Sequence, residues 1–98
     1  MRIAVPHNTT RDKARKIVEQ KMKSLQSQYG HYASDVNHNW QGDTLHFDFK
    51  AKGGISGKGT LEITDSDVII DGKLPLIAKP FESRIRSTIE REAGQMFA

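Results

Sequence analysis

The chain reads as an α+β protein in two layers: a curved antiparallel β-meander covered by an N-terminal and a C-terminal helix, in the order β-α-β-β-β-β-α. Three observations support this. Val36, His38 and Trp40 alternate with polar residues before the dipeptide Gln41-Gly42, and Leu45, Phe47 and Phe49 do so after it, the pattern of a hairpin with one buried face. Near each end of the chain, apolar residues recur at three- and four-residue spacing. Between those ends, alternating segments follow one another with only short turns, which favours a meander whose apolar face two amphipathic helices can cover. Strands bent at glycines and curled about the C-terminal helix would give a helix-grip-like shape.

Ile3 and Val5 suggest a short first strand ending at Pro6. The first helix starts at Thr9 or Thr10, either of which can cap it, with Asp12 near the positive end of the dipole, and it stops at Gly30. Its apolar stripe is Ala14, Ile17, Val18, Met22, Leu25 and Tyr29. Lys13, Lys16 and Lys23 fall on the far side, and Lys21 at the stripe's edge. In the hairpin, a Gln41-Gly42 loop would pair Trp40 with Asp43, His38 with Leu45 and Val36 with Phe47, which brings both apolar sets to one face. Gly53-Gly54 then turns the chain into a strand in which Ile55, Leu61 and Ile63 share a face with Gly57 and Gly59, a sign of a bend or of close approach by another element. After the turn Thr64-Asp65-Ser66-Asp67 comes a strand with Val68, Ile70, Leu74 and Leu76 in alternation around Gly72. Pro80 fits the first turn of the closing helix, whose stripe is Phe81, Ile85, Ile89, Ala93 and Met96 or Phe97.

At 98 residues the expectation is a single domain, 1–98, with a modest core. The absence of cysteine removes disulfides, thiolate nucleophiles and cysteine-ligated zinc. No apolar run approaches the ~20 residues of a membrane span, and no signal-peptide pattern is present, so the expected location is cytoplasmic. Charge is uneven. Residues 1–34 carry seven Lys/Arg against two acids, or +5, and residues 35–98 carry eight against ten, or −2.

The runs Trp40-Gln41-Gly42-Asp43-Thr44-Leu45-His46-Phe47, Gly57-Lys58-Gly59-Thr60-Leu61-Glu62-Ile63 and Leu74-Pro75-Leu76-Ile77-Ala78-Lys79-Pro80-Phe81, with Val5-Pro6-His7 ahead of the basic helix, resemble the polyhydroxyalkanoic acid system protein family across nearly the whole chain. The resemblance implies a bacterial intracellular protein associated with storage-polyester granules. It carries no catalytic residue set to transfer.

Catalytic motifs fail on spacing. Gly53 to Thr60 is superficially like a phosphate loop, but Lys52 stands where the first Gly belongs, Gly59 follows Lys58 in place of Ser or Thr, and a strand follows instead of a helix. Gly54-Ile55-Ser56-Gly57 lacks the residue between Ser and Gly that a nucleophile elbow needs. His38 and His46 point to opposite faces of the hairpin, and His7 and His31 add no ligand spacing, so no metal site is expected. Asp65, Asp67 and Asp71 lie around one hairpin turn and Asp43 follows another, with a spacing that does not match a calcium loop. Glu82, Glu90 and Glu92 interleave with Arg84, Arg86 and Arg91 as a solvated ion-paired face. The chain is therefore expected not to be an enzyme and to need no cofactor.

Binding is the remaining class. Trp40, Phe47 and Phe49 would wall an apolar pocket if the glycines leave space behind them, whereas a filled core is the simpler outcome for so small a protein. Lys13, Lys16 and Lys23 form a basic face, either a solubilising surface or a contact to an anionic granule surface or acidic protein. Exposed residues such as Ile69 or Ile77 would serve a dimer or a complex with a granule protein. The reading is a non-catalytic accessory or binding protein of the polyhydroxyalkanoate system, granule-associated, acting through hydrophobic or protein-protein contacts. The alternative is a weak nucleic-acid-binding domain using the basic first helix. Against that alternative, Lys79-Pro80-Phe81-Glu82 replaces the basic cluster expected at the start of the last helix, and no aromatic pair is positioned to stack bases.

Overall fold

The computed structural model describes residues 1–31, 33–51 and 53–98. Five strands form one antiparallel sheet: β1 (Arg2–Pro6), β2 (Ala33–Gln41), β3 (Thr44–Ala51), β4 (Ile55–Ile63) and β5 (Asp67–Lys73), in the spatial order β1-β5-β4-β3-β2. The two α-helices are α1 (Arg11–Tyr29) and α2 (Glu82–Met96), with a 3-10 helix over Leu76–Phe81 between β5 and α2. This is the α+β architecture expected. The side chain of Tyr29, the last member of the α1 stripe, and Lys52, which breaks the phosphate-loop pattern, lie outside the described residues.

The helix α1 begins where Thr10, in extended backbone, accepts a hydrogen bond on Oγ1 from the amide of Lys13 at 3.2 Å. It spans about 28 Å at 1.5 Å per residue and joins the two edges of the sheet, because β1 lies beside β5 and β2 lies at the opposite edge. Ala14 and Val18 of α1 and Phe97, just past α2, share one core with Leu45, Leu61, Ile63 and Val68. Both helices therefore cover the same sheet face, as the stripes require. Lys21 Nζ, at the edge of its stripe, donates to Glu92 Oε2 at 2.9 Å and ties α1 to α2.

The hairpin keeps its expected face but not its expected register. Trp40 lies opposite Leu45, His38 opposite Phe47 and Val36 opposite Phe49, a shift of two residues that leaves the parity unchanged. The loop is Gly42-Asp43, with Gly42 at φ +61 and Asp43 not among the positive-φ residues. Glycine first in a two-residue turn meets that requirement without strain, whereas a Gln41-Gly42 loop would have put glutamine there.

The two inner-face glycines of β4 mark a close approach. A Cβ on Gly59 would lie 2.6 Å from the Asp71 carbonyl oxygen and 2.8 Å from Phe47 Cζ, and one on Gly57 would lie 2.7 Å from Phe49 Cζ. The phenyl rings thus lie over glycines opposite them in the ladder, since Phe47 pairs with Gly59 and Phe49 with Gly57. The space that the missing side chains leave is filled by rings from the neighbouring strand.

Two expectations near the end of the sheet are corrected. Strand β5 stops at Lys73, so Leu74 and Leu76 do not continue its alternation. Pro80 lies inside the 3-10 helix and α2 begins at Glu82, which leaves Phe81 exposed rather than in the helix stripe. Prolines at 75 and 80 are the physical reason: each lacks an amide donor, and together they confine the intervening residues to a short 3-10 turn.

Candidate docking site at the open end

Burial is graded along the strands. The buried apolar residues are Ile3, Ala14, Val18, Leu45, Leu61, Ile63, Val68, Ala93 and Phe97. The ladder clusters the strand members at one end: Leu45 faces Leu61, which faces Ile70, which faces Ile3, and Ile63 faces Val68. The helix members come from the first half of α1 and from the close of α2. At the opposite end the inner-face residues Val36, Phe47, Phe49 and Ile55, and the helix residues Met22, Leu25 and Ile85, are only half-buried.

The buried end is closed by polar contacts. Arg11 donates from Nε to Asp65 Oδ1 and from Nη1 to Asp43 Oδ2, both at 2.6 Å, so one guanidinium straps the β2-β3 turn to the β4-β5 turn. Arg15 stacks 4.4 Å above the Trp40 ring and donates to the Gly42 carbonyl at 3.3 Å. His7, only 2% exposed, sits beneath the strap. Its Nδ1 accepts from the Thr9 amide at 3.1 Å, so the ring proton is on Nε2, which donates to the Thr64 carbonyl at 2.8 Å. Asn8, between these partners, adopts φ +54, which aims the Thr9 amide back at the ring. Sequence reading grouped His7 with the dispersed histidines. The signal available was its place in the run Val5-Pro6-His7, directly after a strand.

The strap has a pH signature. Hydrogen bonding from Arg11, and then its charge, hold the Asp65 carboxyl below the ordinary aspartate value. Lys21 does the same for Glu92, its hydrogen bond first and its charge second. A carboxyl depressed in the folded state adds stability above its unfolded pKa of about 4 and loses it as pH falls through the folded value. Acid melts of the wild type against Arg11→Gln are expected to differ above about pH 4 and to converge below it. Because these groups are exposed, the difference should shrink with added salt. Curves that stay parallel down to strong acid would remove the strap from the account.

The other end is open. On the 3-10 helix, Leu76 is 82% exposed, Ile77 67% and Phe81 56%. Ala78, whose amide donates to the Pro75 carbonyl at 2.9 Å, is half-buried and faces the protein. Two shallow, solvent-open depressions lie along β3, β4 and β5. The first is lined by Asp48 and Asp71 as well as Lys58 and Lys73 around Phe47 and Gly59; the second, which holds Asp48, Lys50, Lys58 and Lys73 around Phe49 and Gly57, reaches Leu74 and Pro75 just before the 3-10 helix.

The residues singled out from sequence separate into three places. Phe47 and Phe49 stand at the open end with their rings over glycines, and Trp40 stands under Arg15 toward the closed end, though all three share the inner face. Lys13, Lys16 and Lys23 are exposed on α1. Arg11, Arg15 and Lys21, the other α1 cations near them, are held by Asp43, Asp65, Glu19, Trp40 and Glu92. Leu76 and Phe81, which the alternation assigned to a strand and a helix stripe, are the exposed residues sequence reading missed. The bracketing prolines were the usable signal. Ile77, named from sequence as an exposed apolar residue, is one.

His38 and His46 lie on opposite faces, opposite Phe47 and Asn39 respectively. Among the described residues, no three His, Cys, Asp or Glu side chains converge on a point that could hold a metal ion, and no helix is long and apolar enough to cross a membrane. Neither a curated protein nor a solved structure matches the chain. Phe47, the glycines Gly57 and Gly59, and the proline-bracketed apolar turn lie in the runs that carry the family likeness. The family model described as "Putative polyhydroxyalkanoic acid system protein" matches residues 1–97, and the chain belongs to that family.

Proposed function

We propose that this chain is a non-catalytic binding protein of the polyhydroxyalkanoate system that docks on storage-polyester granules through its open end. The observation that carries the reading is the exposure of Leu76, Ile77 and Phe81 on one short turn. Keeping such side chains in water forgoes up to roughly 2 kcal/mol each, a cost that contact with an apolar surface recovers. Family membership supports the polyester context. The lack of cysteine and of a nucleophile elbow supports a role without bond-making chemistry.

Co-sedimentation with isolated granules, or with particles of amorphous polyhydroxybutyrate, tests this. The wild type is expected to pellet with the particles, and the triple variant Leu76→Ser, Ile77→Ser, Phe81→Ser to remain in the supernatant with an unchanged circular dichroism spectrum. Equal pelleting of both proteins would overturn the open end as the docking site. Failure to pellet at all, with salt-sensitive RNA retention that requires Lys13, Lys16 and Lys23, would favour the nucleic-acid reading.

A further inference from the structure

Cations surround the exposed apolar turn. Lys73 precedes it, Lys79 lies within it and Arg84 follows it, against Glu82 alone in that stretch. Lys58 lies directly opposite Lys73 in the β4-β5 ladder and opposite Asp48 in the β3-β4 ladder, and Lys50, Lys58 and Lys73 outnumber Asp48 in the second depression beside Leu74 and Pro75. Lys58, Lys73, Lys79 and Arg84 are exposed, and none of these four has a carboxylate partner within ion-pair distance among the described residues. Like charges directly across a ladder are unfavourable, yet here they stand next to a protruding hydrophobic turn. The strap at the other end pairs its cation with two carboxylates, whereas the cations flanking the apolar turn have no such pairs among the described residues.

An uncharged polyester offers nothing for those cations. An interface with anionic headgroups above hydrocarbon offers partners to both sets, with the apolar side chains inserted and the cations at headgroup level. On that charge complementarity we infer that the surface this end recognises is an anionic phospholipid layer. Leu76, Ile77 and Phe81 are its inserted groups, and Lys58, Lys73, Lys79 and Arg84 its headgroup contacts. The inference rests on the docking role proposed above and names the chemistry of the surface.

Flotation of the full chain with vesicles of phosphatidylcholine alone, and of phosphatidylcholine mixed with phosphatidylglycerol, tests it. Binding is expected on the mixed vesicles only and is expected to weaken with salt. Each neutralised cation should lower affinity about fivefold, so that Lys73→Gln, Lys79→Gln and Arg84→Gln together cost on the order of a hundredfold. A tryptophan placed by Ile77→Trp in a Trp40→Phe background should shift to the blue on mixed vesicles, whereas native Trp40, toward the closed end, should not. Equal binding to both vesicle types overturns the inference, as does binding that is lost only on neutralising Lys13, Lys16 and Lys23. Absent vesicle binding with retained pelleting on polymer particles sinks the lipid inference and leaves the docking role standing. Absence of both sinks the two together.

Discussion

Gly59→Ala is expected to destabilise the protein by about 2 kcal/mol or more, measured as a lower urea midpoint with an unchanged slope. The new methyl would meet the Asp71 carbonyl oxygen at 2.6 Å, the Gly72 Cα at 3.2 Å and Phe47 Cζ at 2.8 Å. Two of these three atoms are backbone of the neighbouring strand, so relief requires β4 and β5 to part where Gly59 pairs with Gly72. Gly57→Ala is the informative contrast. All the atoms its Cβ would meet belong to the Phe49 ring, the nearest at 2.7 Å, and that ring is only half-buried at the open end. A side chain can turn aside more cheaply than a ladder can separate, so Gly57→Ala should cost clearly less. Equal costs would mean that ring packing, rather than backbone approach, governs both positions. For a protein whose total stability is expected to be of order 5–15 kcal/mol, the Gly59 change is a large fraction.

His7→Ala is expected to cost about 3 kcal/mol, because it strands two backbone groups at once. The Thr64 carbonyl loses the Nε2 donor, the Thr9 amide loses the Nδ1 acceptor, and the ring's tilted contact with Phe97, 6.3 Å between centroids, is removed. These groups join the residues after β1, the end of β4 and the close of α2, so the loss should be cooperative, lowering the melting temperature rather than fraying one element. His7→Phe separates packing from hydrogen bonding: it retains an aromatic ring but supplies neither donor nor acceptor. If His7→Phe were as stable as the wild type, the polar contacts of His7 would contribute nothing net, and His7 would be a packing residue alone.

The proposed docking site was less legible than the fold. Exposed apolar residues on a turn produce no periodic signal of their own. Leu74 and Leu76 fit the strand alternation, and Phe81 fits a helical stripe with Ile85 and Ile89, so each was absorbed into the neighbouring element. Only the termination of β5 at Lys73 and the start of α2 at Glu82 freed them. The charge of the first helix was legible only as a total. A count of charges cannot tell a strapped Arg11 or a stacked Arg15 from an exposed Lys13, and only coordinates show that half of the α1 cations near the strap are engaged within the fold.

Sequence alone determined the order of the five strands and two α-helices and which side of each is apolar, but not the 3-10 helix between β5 and α2. Alternation and the 3.6-residue period are local properties set by backbone geometry, and Val36, Trp40, Leu45, Phe47 and Phe49 share a face whichever two-residue loop joins them. The tertiary structure decided the partners: β1 beside β5, the hairpin register through Gly42, His7 under the Arg11 strap, and an apolar turn left in water at one end. Those choices depend on contacts between residues as far apart as Arg11 and Asp65, whose energies local patterning does not contain. A parity argument names the face a residue joins, but how deeply it is buried depends on where two helices of limited length stop along the sheet.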